Sequence, residues 1–408
     1  MSKHLIVIGG GAAGFFCAVN AARMDPSLKI TIIEKNNKLL SKVKVSGGGR
    51  CNVTHACFDI ADMSKQYPRG QHFVRKTFHQ FFTTDTIKWF EERGVQLKTE
   101  PDGRMFPVTD SSQTIIDCLM REANRYGIEI LMRSEVRGLK SEKGRFKIEL
   151  SDSRSLACDF VCIACGGYPK SEMFDWLKKA GHTIEEPVPS LFTFNMPKHP
   201  ITELMGVTIE DVKVKVEGTN LMEQGPVLIT HWGLSGPVIL RLSAWGAKEL
   251  GARGYEFGVV VNWIPQHNEQ SLKEKFTELR NINASQKIIG KSVFGLPNRL
   301  WQFLAEGSGI KNEMRWADLP ATIQHKFIKD LCTYKCGVKG KTTFKEEFVT
   351  AGGIKLSEVD ANTMMSKKVQ GLFFAGEVLD VDGITGGFNF QHAWTSGFIA
   401  AKSIANGQ

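Results

Sequence analysis

The 408-residue chain lacks three things that would settle its class at once: a long uninterrupted apolar run, a cysteine framework and a set of metal-ligand spacings. Residues 5–22 carry no charge, with Lys3 just before them, but Gly9, Gly10, Gly11 and Gly14 break the run and Asn20 lies within it. That excludes a bilayer span or a secretory leader there and predicts a strand, a glycine turn and a helix. No other stretch is apolar for long enough, so no membrane partner is expected. Nine cysteines is an odd number. Cys162 and Cys165 form a C-x-x-C, but a zinc site would need a second ligand pair, and none of the ten histidines supplies one. No metal is therefore expected, and scattered cysteines with apolar flanks suit buried positions in a reducing cytoplasm. Repeats and low-complexity tracts are absent as well. Proline is sparse, 14 residues against 40 glycines, and hydrophobic residues make up 42% with 23% charged, which excludes a collagen-like or disordered chain. The length predicts two or three domains. Acids are outnumbered, 43 against 52 Lys and Arg, for a net charge of +9.

Glycine is abundant, and it gathers where backbone must turn sharply or meet a ligand. His4-Leu5-Ile6-Val7-Ile8 reads as a buried parallel strand. Gly9-Gly10-Gly11-Ala12-Ala13-Gly14 follows as G-x-G-x-x-G, residues 15–24 read as a helix, and residues 29–33 read as a second strand. Glu34 stands at the end of that strand, twenty positions after Gly14, with Lys35 beside it. Each part has a mechanical reason: Gly9 allows the turn, Gly11 lets backbone approach a pyrophosphate, and Gly14 lets helix and strand pack closely. Backbone N–H groups at the helix start, from Gly11, Ala12 and Ala13 onward, then face the phosphates. Glu34 can accept from ribose hydroxyls and would repel a 2′-phosphate, so the site should hold the adenosine half of FAD or NAD.

The C-terminal region separates these two. An apolar strand over 371–375 runs into Gly376-Glu377, then a second glycine turn, Gly383-Ile384-Thr385-Gly386-Gly387, precedes a helix from about Asn389 to Ala405. Between the ends lies Ser46-Gly47-Gly48-Gly49-Arg50-Cys51-Asn52, preceded by Lys42. Three consecutive glycines suggest backbone pressed against a large ligand, with Arg50 available to a phosphate or to flavin carbonyls. The C-terminal order of strand, acid, glycine turn and helix resembles the ribitol and flavin-ring site of flavoproteins with two dinucleotide-binding domains. That resemblance implies that Glu377, after Gly376, binds a ribitol hydroxyl. It also implies that N–H groups around Gly387, Phe388, Asn389 and Phe390 face the flavin pyrimidine edge. The strand over 160–164, ending at Ala164 and Gly166, resembles the Ala-x-Gly motif of the same fold, and Val136 sits where that fold contacts adenine through backbone.

Taken with Asp102-Gly103-Arg104-Met105-Phe106-Pro107-Val108 and Thr230-His231-Trp232-Gly233-Leu234-Ser235-Gly236-Pro237, these motifs resemble one family over nearly the whole chain. It is the family grouped with aminoacetone oxidase and the bile-acid-linked flavin reductases, bacterial NAD(P)/FAD-dependent oxidoreductases. The resemblance implies bound FAD and a substrate domain inserted into the FAD domain, without naming a substrate.

The expected fold is therefore α/β: a discontinuous Rossmann-like FAD-binding domain over 1–192 and 339–408, and an insert over 193–338 with a β-rich part and a small helical part. Pro187-Val188-Pro189 marks the first boundary, because proline resists both helix and central strand. Before it, Asp102-Gly103 predicts a hairpin turn, and Asp110 with Gln113 predicts a capping box for a helix over 111–126. After it, strands are expected over 207–216, 227–230 and 257–261, and helices over 266–280, 295–305 and 319–331. Gly233 to Pro237 predicts the entry of a helix reaching about Leu250, which could bind an anion or merely pack. His231 beside Trp232 suits packing better than catalysis. Lys335, Lys339, Lys341 and Lys345 form either a solvated face or an electropositive rim.

The expected chemistry is that of an FAD-dependent oxidoreductase acting on a small molecule through hydride transfer at flavin N5. It either reduces with NADH or NADPH as a transient donor or oxidises an amine with oxygen as acceptor. A second G-x-G-x-x-G is missing, so no dedicated nicotinamide domain is expected, and no side chain is assigned as catalytic. Two alternatives compete. One is a disulfide reductase using Cys51 and Cys57, which have one residue too many between them. The other is an FAD-dependent RNA-binding or tRNA-modifying protein, suggested by the net charge, although nucleic acid usually demands a denser basic stripe with stacking aromatics.

Overall fold

The computed structural model describes residues 3–142, 144–342 and 349–407. These fall into two compact units, one drawn from 1–190 and 344–408, the other from 191–343. The first unit is built on five parallel strands, β1 (His4–Ile8), β2 (Lys29–Ile33), β3 (Glu129–Leu131), β4 (Phe160–Ile163) and β5 (Leu372–Phe374), in the order β5-β4-β1-β2-β3. Helix α1 (Ala12–Met24) follows β1, and helix α2 (Phe388–Ala405) closes the unit against it. Residues 13–22 of α1 are buried on every side, which is why the stretch carries no charge. A ring cluster cements the two helices: Phe16 lies 5.2 Å from Trp394 and 4.6 Å from Trp89 between centroids. Two three-stranded antiparallel sheets decorate the core, one of Thr54–His55, Arg104–Pro107 and Leu97–Thr99, the other of Val136–Glu142, Arg145–Leu150 and Ser155–Cys158, beside a two-stranded ribbon of Ile184–Ser190 and Val349–Ile354.

The second unit carries a seven-stranded sheet, with Thr208–Val216, Met222–Thr230 and Glu256–Asn262 among its strands, and helices Glu269–Ile282, Asn298–Ser308 and Ala321–Cys332. Phe276, Trp301, Trp316 and Phe327 fill the core of the helical part, and Trp301 Nε1 donates to Ile288 O at 2.8 Å. The α/β class with a parallel sheet and a β-rich insert is as expected from the sequence. No helix among the described residues is long and apolar enough to cross a membrane.

Local expectations need correction at four places. Helix α1 begins at Ala12, inside the glycine motif, because Gly11 serves as its N-cap in an extended conformation. The helix over Ser112–Arg125 is capped by Ser111, whose Oγ accepts from Gln113 N, while Asp110 has turned to pair with Lys98 and Arg50. Pro187 and Pro189 lie within a strand, Ile184–Ser190, which among the described residues pairs only with Val349–Ile354. A two-stranded ribbon has two open edges, so the missing N–H groups cost it little. Finally, Gly233–Ser235 is a strand, and the helix that follows, Pro237–Trp245, ends at Gly246 before a short helix Ala247–Ala252.

Candidate functional site: a dinucleotide cradle in the first unit

The site begins at the turn after β1. A Cβ on Gly9 would stand 2.2 Å from Ala164 O, and one on Gly14 would stand 2.0 Å from Gly9 O, so both positions demand glycine for packing reasons. Gly11 differs. A Cβ there, or on Gly48, Gly49 or Gly166, would meet no atom of the chain within 4 Å. Bare backbone thus faces outward at four motif positions, with the unpaired first-turn N–H groups of α1, from Ala12 and Ala13 on, beside one of them. Glu34 closes the cradle: Oε2 accepts from Gly10 N at 2.9 Å, and Oε1 accepts from Asn36 N and Nδ2 at 2.8 and 2.9 Å. A carboxylate offers about four lone-pair positions, so one remains for a ribose hydroxyl. Ser134 N donates to Glu34 O at 2.9 Å, which brings the start of Val136–Glu142, and hence Val136, beside that end. Lys35 instead lays its ammonium over Tyr168, 5.0 Å from the ring centroid.

Gly376 and Glu377 stand across from this turn, since a Cβ on Gly376 would approach Ala13 Cβ to 2.8 Å. Glu377 Oε2 accepts from Lys42 Nζ at 2.5 Å and Oε1 from Thr350 N at 2.9 Å, so this acid is already held from two sides. Two buried groups flank it. His392 Nε2 donates to Gly376 O at 3.3 Å, and burial lowers its pKa to about 4, which keeps the imidazole neutral. Thr350 Oγ1 is buried with no hydrogen-bond partner among the described residues.

The second glycine turn is fastened to the segment after the triple glycine. A Cβ on Gly387, where φ is +94°, would stand 2.5 Å from Thr54 O. Oriented to satisfy both its ends, the Asn52 amide accepts from Gly387 N at 2.9 Å and donates to Thr54 O at 2.9 Å. His55 Nδ1 lies 3.0 Å from Gly386 O, and its ring stacks on Phe388 at 4.6 Å. Tyr67 Oη donates to Phe388 O at 2.6 Å. Asn389 ties back to Gly383 N and O at 2.8 and 2.9 Å, and Phe390 stacks on Trp394 at 5.7 Å. Asp382, fully buried, accepts from Arg69 Nε and Nη2 and from Ser190 Oγ. These anchors leave the first-turn N–H groups of Phe388, Asn389 and Phe390 as the helix's outward donors.

The residues present fit FAD: bare backbone and a helix start suited to phosphate, an acid with spare acceptor capacity, and a second helix start suited to developing negative charge. Comparison with known proteins supports the same class. Residues 3–403 match the family described as HI0933-like protein Rossmann domain. The chain belongs to the HI0933-like family. It is similar to the 3-dehydro-bile acid delta(4,6)-reductase of Clostridium scindens, 28% identical with 98% of each chain covered. It is also similar to the ribosomal RNA dihydrouridine synthase of Haemophilus influenzae, 29% identical with 98% of each covered. Among solved structures, the 3-ketosteroid delta1-dehydrogenase of Sterolibacterium denitrificans shares the fold at a TM-score of 0.53 and 11% identity, with all of each chain covered. The HI0933-like chain is accordingly an FAD-dependent oxidoreductase.

Several candidates stand differently from their sequence reading. Arg50 is engaged within the protein: its guanidinium lies 4.0 Å from the Phe106 ring centroid and pairs with Glu100 at 2.5 Å. Ser46 turns inward, with Oγ on Val43 O at 3.0 Å. Lys335 and Lys339 pair with Glu217 and Glu256 at 3.1 and 3.6 Å, so these two form no unopposed electropositive rim, while Lys341 lies over the Tyr255 ring. Lys345 lies outside the described residues. The His231 ring lies 4.4 Å from that of Trp232, tilted at 43°. All nine cysteines are free. Burial pushes the Cys51 thiol up to about 12 and raises Cys57 as well, so neither is a thiolate at neutral pH and the disulfide-reductase reading loses its nucleophile. A Cys51→Ser protein is therefore expected to retain flavin and its reduction rate, losing about 1 kcal/mol of stability for a polar atom in an apolar place. Absorbance at the flavin band and a melting curve check both halves.

Tyr67, Arg69, His55 and Asp382 were not singled out by the sequence reading. Only the glycine turn at 383–387 hints that something must hold it.

Proposed function

We propose that this chain is a flavin-dependent reductase of a carbon–carbon double bond conjugated to a carbonyl, with NADH or NADPH as the transient donor. When bound, FAD supplies hydride acceptance and hydride donation at N5. The chain's residues hold its phosphates at 9–14, its ribose at Glu34 and its ribitol at Glu377. The first turn of α2 is the donor set for the negative charge that grows on reduction. The observation that carries the reading is that this one unit joins a phosphate cradle to a helix start, within a chain similar end to end to a delta(4,6)-reductase and to a dihydrouridine synthase. A delta(4,6)-reductase and a dihydrouridine synthase act on different molecules, yet each saturates a double bond beside a carbonyl. In balance, the nicotinamide gives up a hydride, the substrate's β-carbon gains one, and its α-carbon gains a proton from solvent or an acid.

The substrate we favour is a small conjugated ketone, as for the bile-acid relative. A second reading, a uracil within ribosomal RNA, is favoured by the +9 charge and by the dihydrouridine synthase relative. The experiment is anaerobic: protein reduced with NADPH is mixed with a 3-oxo-4-ene steroid or with unmodified ribosomal RNA. Return of the yellow colour, with a mass gain of two hydrogens in the steroid, is expected. Reoxidation by RNA alone, abolished by salt, would transfer the function to RNA. Reoxidation by neither would overturn the reaction class.

A further inference from the structure

The peptide that joins Gly386 to Gly387 is held at both ends. Its carbonyl oxygen meets His55 Nδ1 at 3.0 Å, and its N–H is accepted by the Asn52 side chain at 2.9 Å. Both flanking residues are glycines with positive φ, +134° and +94°. Glycine backbone is free to rotate a peptide plane that any other residue would lock. This peptide therefore owes its direction to Asn52 and His55 and not to its own dihedral preferences. It also immediately precedes the first turn of α2, and the His55 ring stacks on Phe388, the first residue of that turn, with an interplanar angle of 25°.

A carbonyl oxygen is only an acceptor, so the Nδ1 of His55 must carry the proton in this contact. The bond is directional: it fixes which way the 386–387 peptide dipole points, and through Phe388 it fixes the aim of the N–H groups behind it. We propose that His55 is a positioning residue that sets the reduction potential of the flavin, by holding the Gly386–Gly387 peptide and the start of α2 in one orientation. This rests on the reading that α2 faces the flavin pyrimidine end. Reduction places negative charge there, and donors already aimed at it stabilise the reduced form without reorganising. Losing that aim stabilises the reduced form less and moves the potential to more negative values.

The test compares two amides in the full FAD-loaded chain. In His55→Asn, Nδ2 takes the place of His55 Nδ1 and can still donate to Gly386 O. In His55→Gln, the amide nitrogen takes the place of Nε2 and cannot. Flavin content is read from absorbance, and the midpoint potential from equilibration with a reference dye. The expected result is full flavin content in both, a wild-type potential for His55→Asn and a more negative one for His55→Gln. Equal potentials in the two variants, whether shifted or not, would overturn the proposal, as would loss of flavin from folded His55→Gln. A wild-type chain that takes up no FAD would refute the cofactor reading itself, which is a different result from either.

Discussion

A Gly11→Val protein folds and carries no flavin. The backbone at Gly11 has φ −97° and ψ −171°, an extended conformation open to valine, and the added Cβ meets no atom of the chain within 4 Å. The folded state therefore loses only the glycine's value as an N-cap, about 1 kcal/mol or less. The ligand loses far more. The isopropyl group takes the space through which a pyrophosphate reaches the first-turn N–H groups of α1. Charged hydrogen bonds of this kind contribute ~1.5–3 kcal/mol each, so losing two lowers affinity ~100-fold or more. Gly14→Val is the control with the opposite outcome: its Cβ would stand 2.0 Å from Gly9 O, and the chain should fail to fold. The pair is read by flavin absorbance and by melting. A yellow Gly11→Val protein would move the phosphates elsewhere.

Asp382→Ala is the largest stability loss expected from a single polar side chain. The carboxylate is fully buried and Arg69 is 12% exposed at its side chain. Burial raises the Asp382 pKa, with Arg69 and Ser190 opposing it, so the charge is kept only by its partners. Removing one member of a buried pair costs about 3–5 kcal/mol, because the other charge keeps its desolvation penalty. In a unit of this size that is a fall of roughly 10 °C in melting temperature. Asp382→Asn, which keeps an acceptor for Arg69, should lose less. The same substitution also frees the chain just before the glycine turn, so flavin should dissociate faster. A melting temperature within a degree or two of wild type would show that the pair is better solvated than its burial implies.

The legible part of this protein was the part whose chemistry is contiguous. A strand, a glycine turn, a helix and an acid at β2's end are specified within some thirty residues, and the strand pairings follow from the apolar runs at 4–8, 29–33 and 160–163. What holds the second glycine turn was not legible, because Tyr67, Arg69 and His55 act on partners more than 300 positions away. Nothing in their neighbourhoods marks them. The same limit applies to Lys335 and Lys339. Read along the chain they are a basic cluster, but read across the sheet each has an acid, Glu256 on the neighbouring strand for Lys339 and Glu217, just past the end of Thr208–Val216, for Lys335. Arg50 looked available for the same reason, since Glu100 arrives by way of a hairpin. Local rules erred by small steps where two polar residues competed for one cap, as at Asp110 and Ser111.

The proposed reduction by a nicotinamide is tested by mixing the FAD-loaded protein anaerobically with NADH and, separately, with NADPH, and following the flavin absorbance. Rapid bleaching by at least one of them is the predicted result. Flavin that stays oxidised with both, yet bleaches with a small amine and releases hydrogen peroxide when air is admitted, would make the protein an amine oxidase instead.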